Sequence, residues 1–370
     1  MTAPRLEIDL GKLRHNARTL VERLQTRGIA VTGVTKAVCG SAEIANVMLA
    51  AGVNGLGDSR VENIAAMRRL RVPGPITLIR SPMISQADVV VRCAETSFNT
   101  ELDVVAALST AAAQAGRVHG IVLMVELGDL REGIMPADLE GVARQVHRMR
   151  NVQLRGIGTN LACQSGVTPT MENMAELSAL TRSVEAALGA ALQIVSGGNS
   201  ANLEWALGRA DPDRVNDLRL GESILLGCDP LNRSPIAGLY TDAITLAAEI
   251  IEFKVKPSQP WGKIAQTAFG SRPRAADRGS KSRAILAAGI QDADPEGLTG
   301  PPGIEILGAS SDHLILDVGE ASLRVGSEVS FRPNYSALVR AMTSPFVAKF
   351  VRHEDAGRQL VKAIELPIAS

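Results

Sequence analysis

A lysine at the end of a buried strand is the residue in this sequence with the most chemistry to offer. Residues 29–35 (IAVTGVT) are mostly apolar or β-branched, the pattern of a short strand buried on both faces, and Lys36 follows them into small residues and Gly40. An ammonium at the mouth of a packed barrel or sheet is partly desolvated, so its pKa falls and it can form a Schiff base. A solvated charge where a strand surfaces is the other reading of Lys36. Two later stretches favour the first. Residues 196–202 (SGGNSAN) offer glycines, a hydroxyl and backbone N–H groups at a helix start, which suits a phosphate. Residues 219–223 (RLGES) add a second glycine turn after a late strand, where parallel barrels bind phosphate. Each stretch alone is a weak signal, since Gly-Ser loops are usually just turns. Together with Lys36 they point to pyridoxal phosphate.

The elements that must position these residues can be read from pattern. Strand-like runs occur at 29–35, 52–57, 76–80, 96–99, 119–127, 154–159, 191–196 and 215–220, each followed by a helical stretch or a polar loop. Helical spacing is clearest at 10–25, 60–70 and 101–115. Repeated strand–helix units imply a parallel sheet, and eight of them close most economically into a (β/α)8 TIM barrel, with an open doubly wound sheet as the alternative. At the strand ends such a barrel would gather Lys36, Asp58, Arg60, Arg131, Asn160, Asn199, Ser200, Arg219 and Gly221. Near Ser234 the composition changes to strand-like runs at 244–254, 282–288, 304–307, 314–318 and 328–331, separated by Gly, Pro and Asp. The expected division is a barrel over 10–234 and an all-β domain over 235–370, joined by a first strand within 1–9.

Composition narrows the function classes. The 370 residues carry 39 basic and 39 acidic side chains with no basic stripe, which argues against nucleic acid or an anionic membrane as partner. Aromatics are 3%, so Val, Leu, Ile and Ala must fill the core. No signal peptide or membrane span is expected. Cys39, Cys93, Cys163 and Cys228 have neither metal-type spacing nor a disulfide framework and fit free thiols in the cytoplasm. No HxxxH or HExxH pattern occurs, and no metal site is expected. His15, His119, His147 and His353 read as surface or internally satisfied residues; His313, beside Asp312, is the exception.

Taken in order, VTKAVCG, DSRVEN, GDLREG, GTNLAC, GGNSAN, RLGES, SSDH and FRPNY resemble the amino-acid racemases built on the alanine racemase fold, in the branch typified by ornithine racemase. The resemblance covers nearly the whole chain. It implies a pyridoxal-phosphate enzyme of fold type III, acting as a homodimer with shared active sites. Lys36 matches the lysine that carries the cofactor, and Arg219 the arginine that hydrogen-bonds the pyridine nitrogen. Asn199, Ser200, Gly221, Glu222 through its backbone N–H, and Tyr335 fall at or beside phosphate-binding positions. Arg131 matches an arginine near the substrate carboxylate, and Asn160 stands where alanine racemases usually carry a histidine. Asp312 matches an aspartate contributed by the partner subunit.

The sequence also departs from that pattern. The KAVCG turn is one residue shorter than its alanine racemase counterpart and has Cys39 in place of a phosphate-binding tyrosine. The stretch 262–270 (GKIAQTAFG), where the second catalytic tyrosine belongs, has no tyrosine, and Tyr240 comes too early to replace it. His313 is then the candidate for the opposite-face acid/base, and Asp312 could hold a distal ammonium, favouring a basic substrate such as ornithine. A decarboxylase of the same fold would need a carboxylate at the ring nitrogen, and Glu222 is only three residues from Arg219. An aldolase would need a divalent metal, and a non-catalytic carrier would lack the β-domain.

Overall fold

Short apolar runs alternating with amphipathic stretches set the architecture of the barrel region. The computed structural model describes residues 4–266, 269–270, 277–355, 358–364 and 366. Strand β1 (Arg5–Asp9) leads into helix α1 (Leu10–Gln25). Eight strands follow: β2 (Ala30–Val34), β3 (Gly55–Asp58), β4 (Ile76–Leu78), β5 (Thr96–Asn99), β6 (His119–Met124), β7 (Val152–Gly158), β8 (Ile194–Gly198) and β9 (Asp217–Leu220). Each is parallel to the next, and β9 returns to β2 with Ala30 opposite Asp217 and Gly33 opposite Leu220. The barrel is closed, so the open-sheet alternative fails.

Between the strands lie α2 (Ala42–Ala50), α3 (Val61–Arg69), α4 (Ala87–Cys93), α5 (Leu102–Gln114), α6 (Pro136–Arg148), α7 (Met171–Leu188) and α8 (Leu203–Leu207); α9 (Glu222–Leu226) follows β9. Strand limits differ locally from pattern. Gly52 and Val53 end α2, their N–H groups donating to Leu49 and Met48, so β3 starts only at Gly55. Beyond Met124 the chain leaves β6 and folds back across a loop, the Glu126 N–H donating to Ile134 O and the Ile134 N–H to Met124 O.

The second unit is a nine-stranded sheet. It adds β10 (Ile244–Pro257), β11 (Ser280–Leu286), β12 (Leu298–Thr299), β13 (Glu305–Ala309), β14 (Leu314–Asp317), β15 (Glu328–Pro333), β16 (Ala348–Asp355) and β17 (Arg358–Ala363). The order β13-β14-β11-β10-β1-β16-β17 places β1 between β10, to which it is antiparallel, and β16, to which it is parallel. Alternation along these strands turns Ile250, Leu286, Leu316 and Phe331 into one apolar core. The unit is not purely β. Helix α10 (Tyr335–Thr343) is capped by Asn334 and buries Ala337, Leu338, Ala341 and Met342, a helical spacing hidden by the preceding FRPN turn.

Contacts divide the chain between Tyr240 and Thr241, with Met1–Leu10 grouped with Thr241–Glu365, rather than at Ser234. The reason is local. Residues 235–240 are tied to α1: His15 Nε2 lies 2.8 Å from Gly238 O, and Asn16 both donates to Tyr240 O at 2.9 Å and accepts from its N–H at 2.8 Å. Tyr240 also meets the His15 ring edge-on at 4.9 Å. Among the described residues no helix is long and apolar enough to cross a membrane.

Candidate active site

Lys36 stands just beyond β2, at the start of a single 3-10 turn. The turn is demanding for its backbone: Cys39 has φ +51° and Gly40 φ +66°. A side chain at Gly40 would lie 2.9 Å from Asn63 Cβ, which fixes glycine there. Below the turn sits the fully buried carboxylate of Asp58, at the end of β3. It accepts from Thr35 Oγ1 at 2.7 Å, from the Arg60 N–H at 2.9 Å and from Asn63 Nδ2 at 3.0 Å. Burial raises its pKa, and these donors oppose the rise. Asp58 thus fastens the residue before Lys36 to the next strand. Burial also lowers the Lys36 pKa, the Arg131 and Arg219 charges adding to the fall while Cys163 and Asp58 oppose it.

Arg219 on β9 is 5% exposed. Its Nη1 donates to Ser196 Oγ at 2.5 Å, and its Nη2 to Thr159 O at 2.7 Å and Asn160 Oδ1 at 3.2 Å. Its guanidinium lies 4.8 Å from the Phe98 ring centre. Ser196 in turn donates to Asp217, which also accepts from Thr32 Oγ1 at 2.7 Å. Asp217 and Arg219 share a face because they are two apart on one strand. A buried counter-charge is thereby linked through Ser196 to the arginine. Burial pushes the Arg219 pKa down to about 10 against the pull of Asp217, so the side chain is still a cation at neutral pH.

The loop after β6 brings in Arg131 and Glu132. Asp129, 2% exposed, accepts from the N–H groups of Gln164 (2.9 Å), Ser165 (3.1 Å) and Cys163 (3.4 Å) and ties this loop to the one after β7. Burial raises the Asp129 pKa, but these donors outweigh it and hold it below the ordinary value. Arg131 is clamped between two groups: Nε and Nη2 donate to the Glu132 carboxylate, and Nη1 to Cys163 Sγ at 2.7 Å.

Lys36, Arg131, Asn160 and Arg219 line one cavity of about 260 Å³, together with Arg80 and Glu132. A larger cavity of about 370 Å³, around Thr168 and Trp205, holds none of them. Beside the first cavity Asn199 donates to Asn160 Oδ1 at 3.2 Å and to Leu161 O at 2.8 Å. Ser200 Oγ lies 3.0 Å from Ser223 Oγ and accepts from the Ser223 N–H at 3.2 Å, joining the turn after β8 to α9. A side chain at Gly221 would come within 3.1 Å of Val34 Cβ. Glu222 opens α9 and pairs with Arg233 at 2.5 Å. Arg219, not Glu222, therefore lines the cavity, opposite to what a decarboxylase register requires.

These residues fit pyridoxal phosphate. A lysine and a buried arginine line one cavity, Asn199 of the glycine- and hydroxyl-bearing turn after β8 bonds to Asn160 on its wall, and Asn160 Nδ2 is a buried amide nitrogen without a hydrogen-bond partner. Such an orphan donor suits an oxygen-bearing ligand.

Asp312, His313 and Tyr335 belong to the other unit. In the turn between β13 and β14 the half-buried His313 has its Nδ1 2.8 Å from Oδ1 of the exposed Asp312, and this bond holds Asp312 below the ordinary carboxylate pKa. Tyr335 begins α10. In the 262–270 stretch Thr267 and Ala268 lie outside the described residues, as does the side chain of His353. His119 is buried at the start of β6, its Nε2 2.8 Å from Ser97 Oγ. Among the described residues no group of three or more His, Cys, Asp or Glu could hold a metal. Local pattern places Ser196 only within the 196–202 stretch and assigns no role to Asp129 or Asp217. Only for the last was there a signal, an acid two residues before an arginine on a barrel strand.

Residues 8–230 match the family described as alanine racemase, N-terminal domain. The chain is 37% identical over 351 residues to an ornithine racemase of Acetoanaerobium sticklandii, covering 94% of this chain and 99% of that protein. It is 39% identical over 352 residues to a lysine racemase of Thermotoga maritima, covering 94% and 98%. The fold is similar to that of alanine racemase from Streptomyces lavendulae, with TM-score 0.74 and 20% identity over 95% and 98% of the two chains. It is also similar to D-threonine aldolase from Filomicrobium marinum, with TM-score 0.72 and 16% identity over 92% and 88%.

Proposed function

This chain belongs to the alanine racemase family and is a pyridoxal-phosphate-dependent amino-acid racemase, and from that premise we propose that its substrate is a basic amino acid such as ornithine or lysine. The observation that carries the reading is a buried arginine and a desolvated lysine on one cavity wall, in a chain similar to two racemases of basic amino acids. Bound there, pyridoxal phosphate supplies the conjugated system that accommodates the electron pair left when the Cα proton departs. The remaining work falls to this chain's side chains. Lys36 would hold the cofactor, and once the substrate's amine takes its place the freed Nζ, whose neutral form burial favours, would take or return the proton on one face of Cα. Arg219, cationic and held by Ser196 and Thr159, would face the ring nitrogen of the bound cofactor and keep it unprotonated, limiting electron withdrawal and favouring simple proton exchange.

Asn199, Ser200, Gly221, the Glu222 N–H and Tyr335 would take the phosphate, with Arg131 and Asn160 toward the substrate. The opposite face needs a second proton carrier, and His313 fills that role in this reading. Aspartate only accepts hydrogen bonds when ionised, so Nδ1 must donate to Asp312 and the lone pair lies on Nε2. The active unit is a homodimer in which Asp312 and His313 come from the partner subunit, a closed two-fold arrangement. The β-unit sets the chain apart from a bare barrel that only carries the cofactor. Four free thiols support action in the cytoplasm.

The test is to incubate the cofactor-loaded protein with single enantiomers of ornithine, lysine and alanine in deuterium oxide and follow chirality and Cα deuteration. Ornithine or lysine should racemise fastest from either enantiomer. If alanine outpaces both, the basic-substrate reading fails.

A further inference from the structure

The charges on the cavity wall are unequal in a way that bears on substrate choice. Among the described residues lining it, Lys36, Arg80, Arg131 and Arg219 are cationic or able to be, and Glu132 is the single carboxylate. An α-carboxylate and a phosphate both find cations here. A second ammonium would enter a wall of like charge, which costs free energy unless an anion meets it. A neutral side chain has no need of that anion, and for it a partly buried carboxylate is only a desolvation cost. From this we propose that Glu132 is the specificity-determining residue: its carboxylate receives the distal ammonium of a basic amino acid.

The geometry supplies what the role requires. Glu132 is held against Nε and Nη2 of Arg131, and its side chain is 26% exposed, so it is oriented yet accessible. An ionised carboxylate offers about four acceptor positions, and a bidentate arginine uses two. Arg131 keeps Nη1 on the other side, where it now faces Cys163 Sγ at 2.7 Å, available to a stronger acceptor. Adjacent residues thus present a cation and an anion side by side. Asp129 sets this pair by stapling its loop to the 163–165 segment. The assignment rests on the racemase reading and moves the ammonium contact from Asp312, on the exposed β13–β14 turn, to the barrel itself.

The experiment compares L-ornithine with L-norleucine, which replaces the terminal ammonium by a methyl group, in the cofactor-loaded wild type, Glu132→Gln and Asp312→Asn. Two quantities are read: kcat/KM for racemisation, and equilibrium binding from the change in cofactor absorbance. Glu132→Gln keeps the shape and an acceptor but removes the charge, so the ornithine-to-norleucine ratio in both should fall by roughly 10- to 100-fold, as for a lost charged hydrogen bond. Glu132→Asp should restore part of the ratio. An equal loss for both substrates would mean that Glu132 merely orients Arg131, and the proposal would be wrong. Loss of the ratio only in Asp312→Asn would return the ammonium to the partner's turn, again against it. A wild type that racemises norleucine but no basic amino acid would overturn the underlying substrate reading, and this assignment with it. A wild type selective for ornithine with an unchanged ratio in Glu132→Gln overturns the assignment alone.

Discussion

At the scale of single residues, the site is a set of charges that burial has moved away from their ordinary behaviour. Lys36 is the clearest case: desolvation and two neighbouring arginines lower its pKa, which is what a lysine needs to act as nucleophile and base near neutrality. Lys36→Ala should abolish the visible absorbance of the bound cofactor and its borohydride trapping, and reduce racemisation by several orders of magnitude. Retention of full turnover in a spectrally confirmed Lys36→Ala protein would refute its central role. Lys36, Arg131, Asn160 and Arg219 were legible in the sequence because each ends a strand or follows one. Their supports were not. Asp129 reaches residues 163–165, and Ser196 reaches Arg219, across separations that no local pattern encodes.

Elements, rather than individual groups, decide where those charges can stand. Parallel strands buried on both faces admit polar residues only at their ends or where each is paired inside, as in the Thr32–Asp217–Ser196–Arg219 chain. His119, at the opposite end of β6 from the Arg131 loop, shows the cost of burying a titratable ring. Burial lowers it from 6.5 to about 4, with the Arg155 charge adding to this and a hydrogen bond involving the Ala94 backbone opposing it. The folded pKa lies below the unfolded one, so the unfolded chain binds the extra proton first. The contribution is fully present above 6.5 and is lost as pH falls toward 4, amounting to about 3 kcal/mol at most. Urea denaturation of His119→Gln at pH 7 and pH 4.5 should show a smaller pH dependence than the wild type. Equal slopes in the two proteins would contradict this account.

For the whole molecule, the prediction concerns two copies. If each active site joins Lys36 of one subunit with His313 of the other, then Lys36→Ala and His313→Ala proteins should each be nearly inactive. Mixed under conditions that allow subunit exchange, they should recover a measurable part of the wild-type rate, since a heterodimer contains one site with both residues intact. No recovery, with exchange confirmed by mass spectrometry, would argue against a shared site. What the sequence by itself determined was the kind of architecture and the identity of the strand-end residues. Strand–helix periodicity, and the shift to alternating runs near Ser234, are local properties of the chain. What the tertiary structure alone decided was which side chains meet. It brought Arg131 and Glu132 onto one cavity wall with Lys36, Asn160 and Arg219, joined Ser196 to Arg219 and tied residues 235–240 to α1. These depend on closing the barrel through β9 and β2 and on loops that converge from different strands. Spacing along a sequence cannot carry that information, because such contacts form between segments that are neighbours only once the sheet has closed.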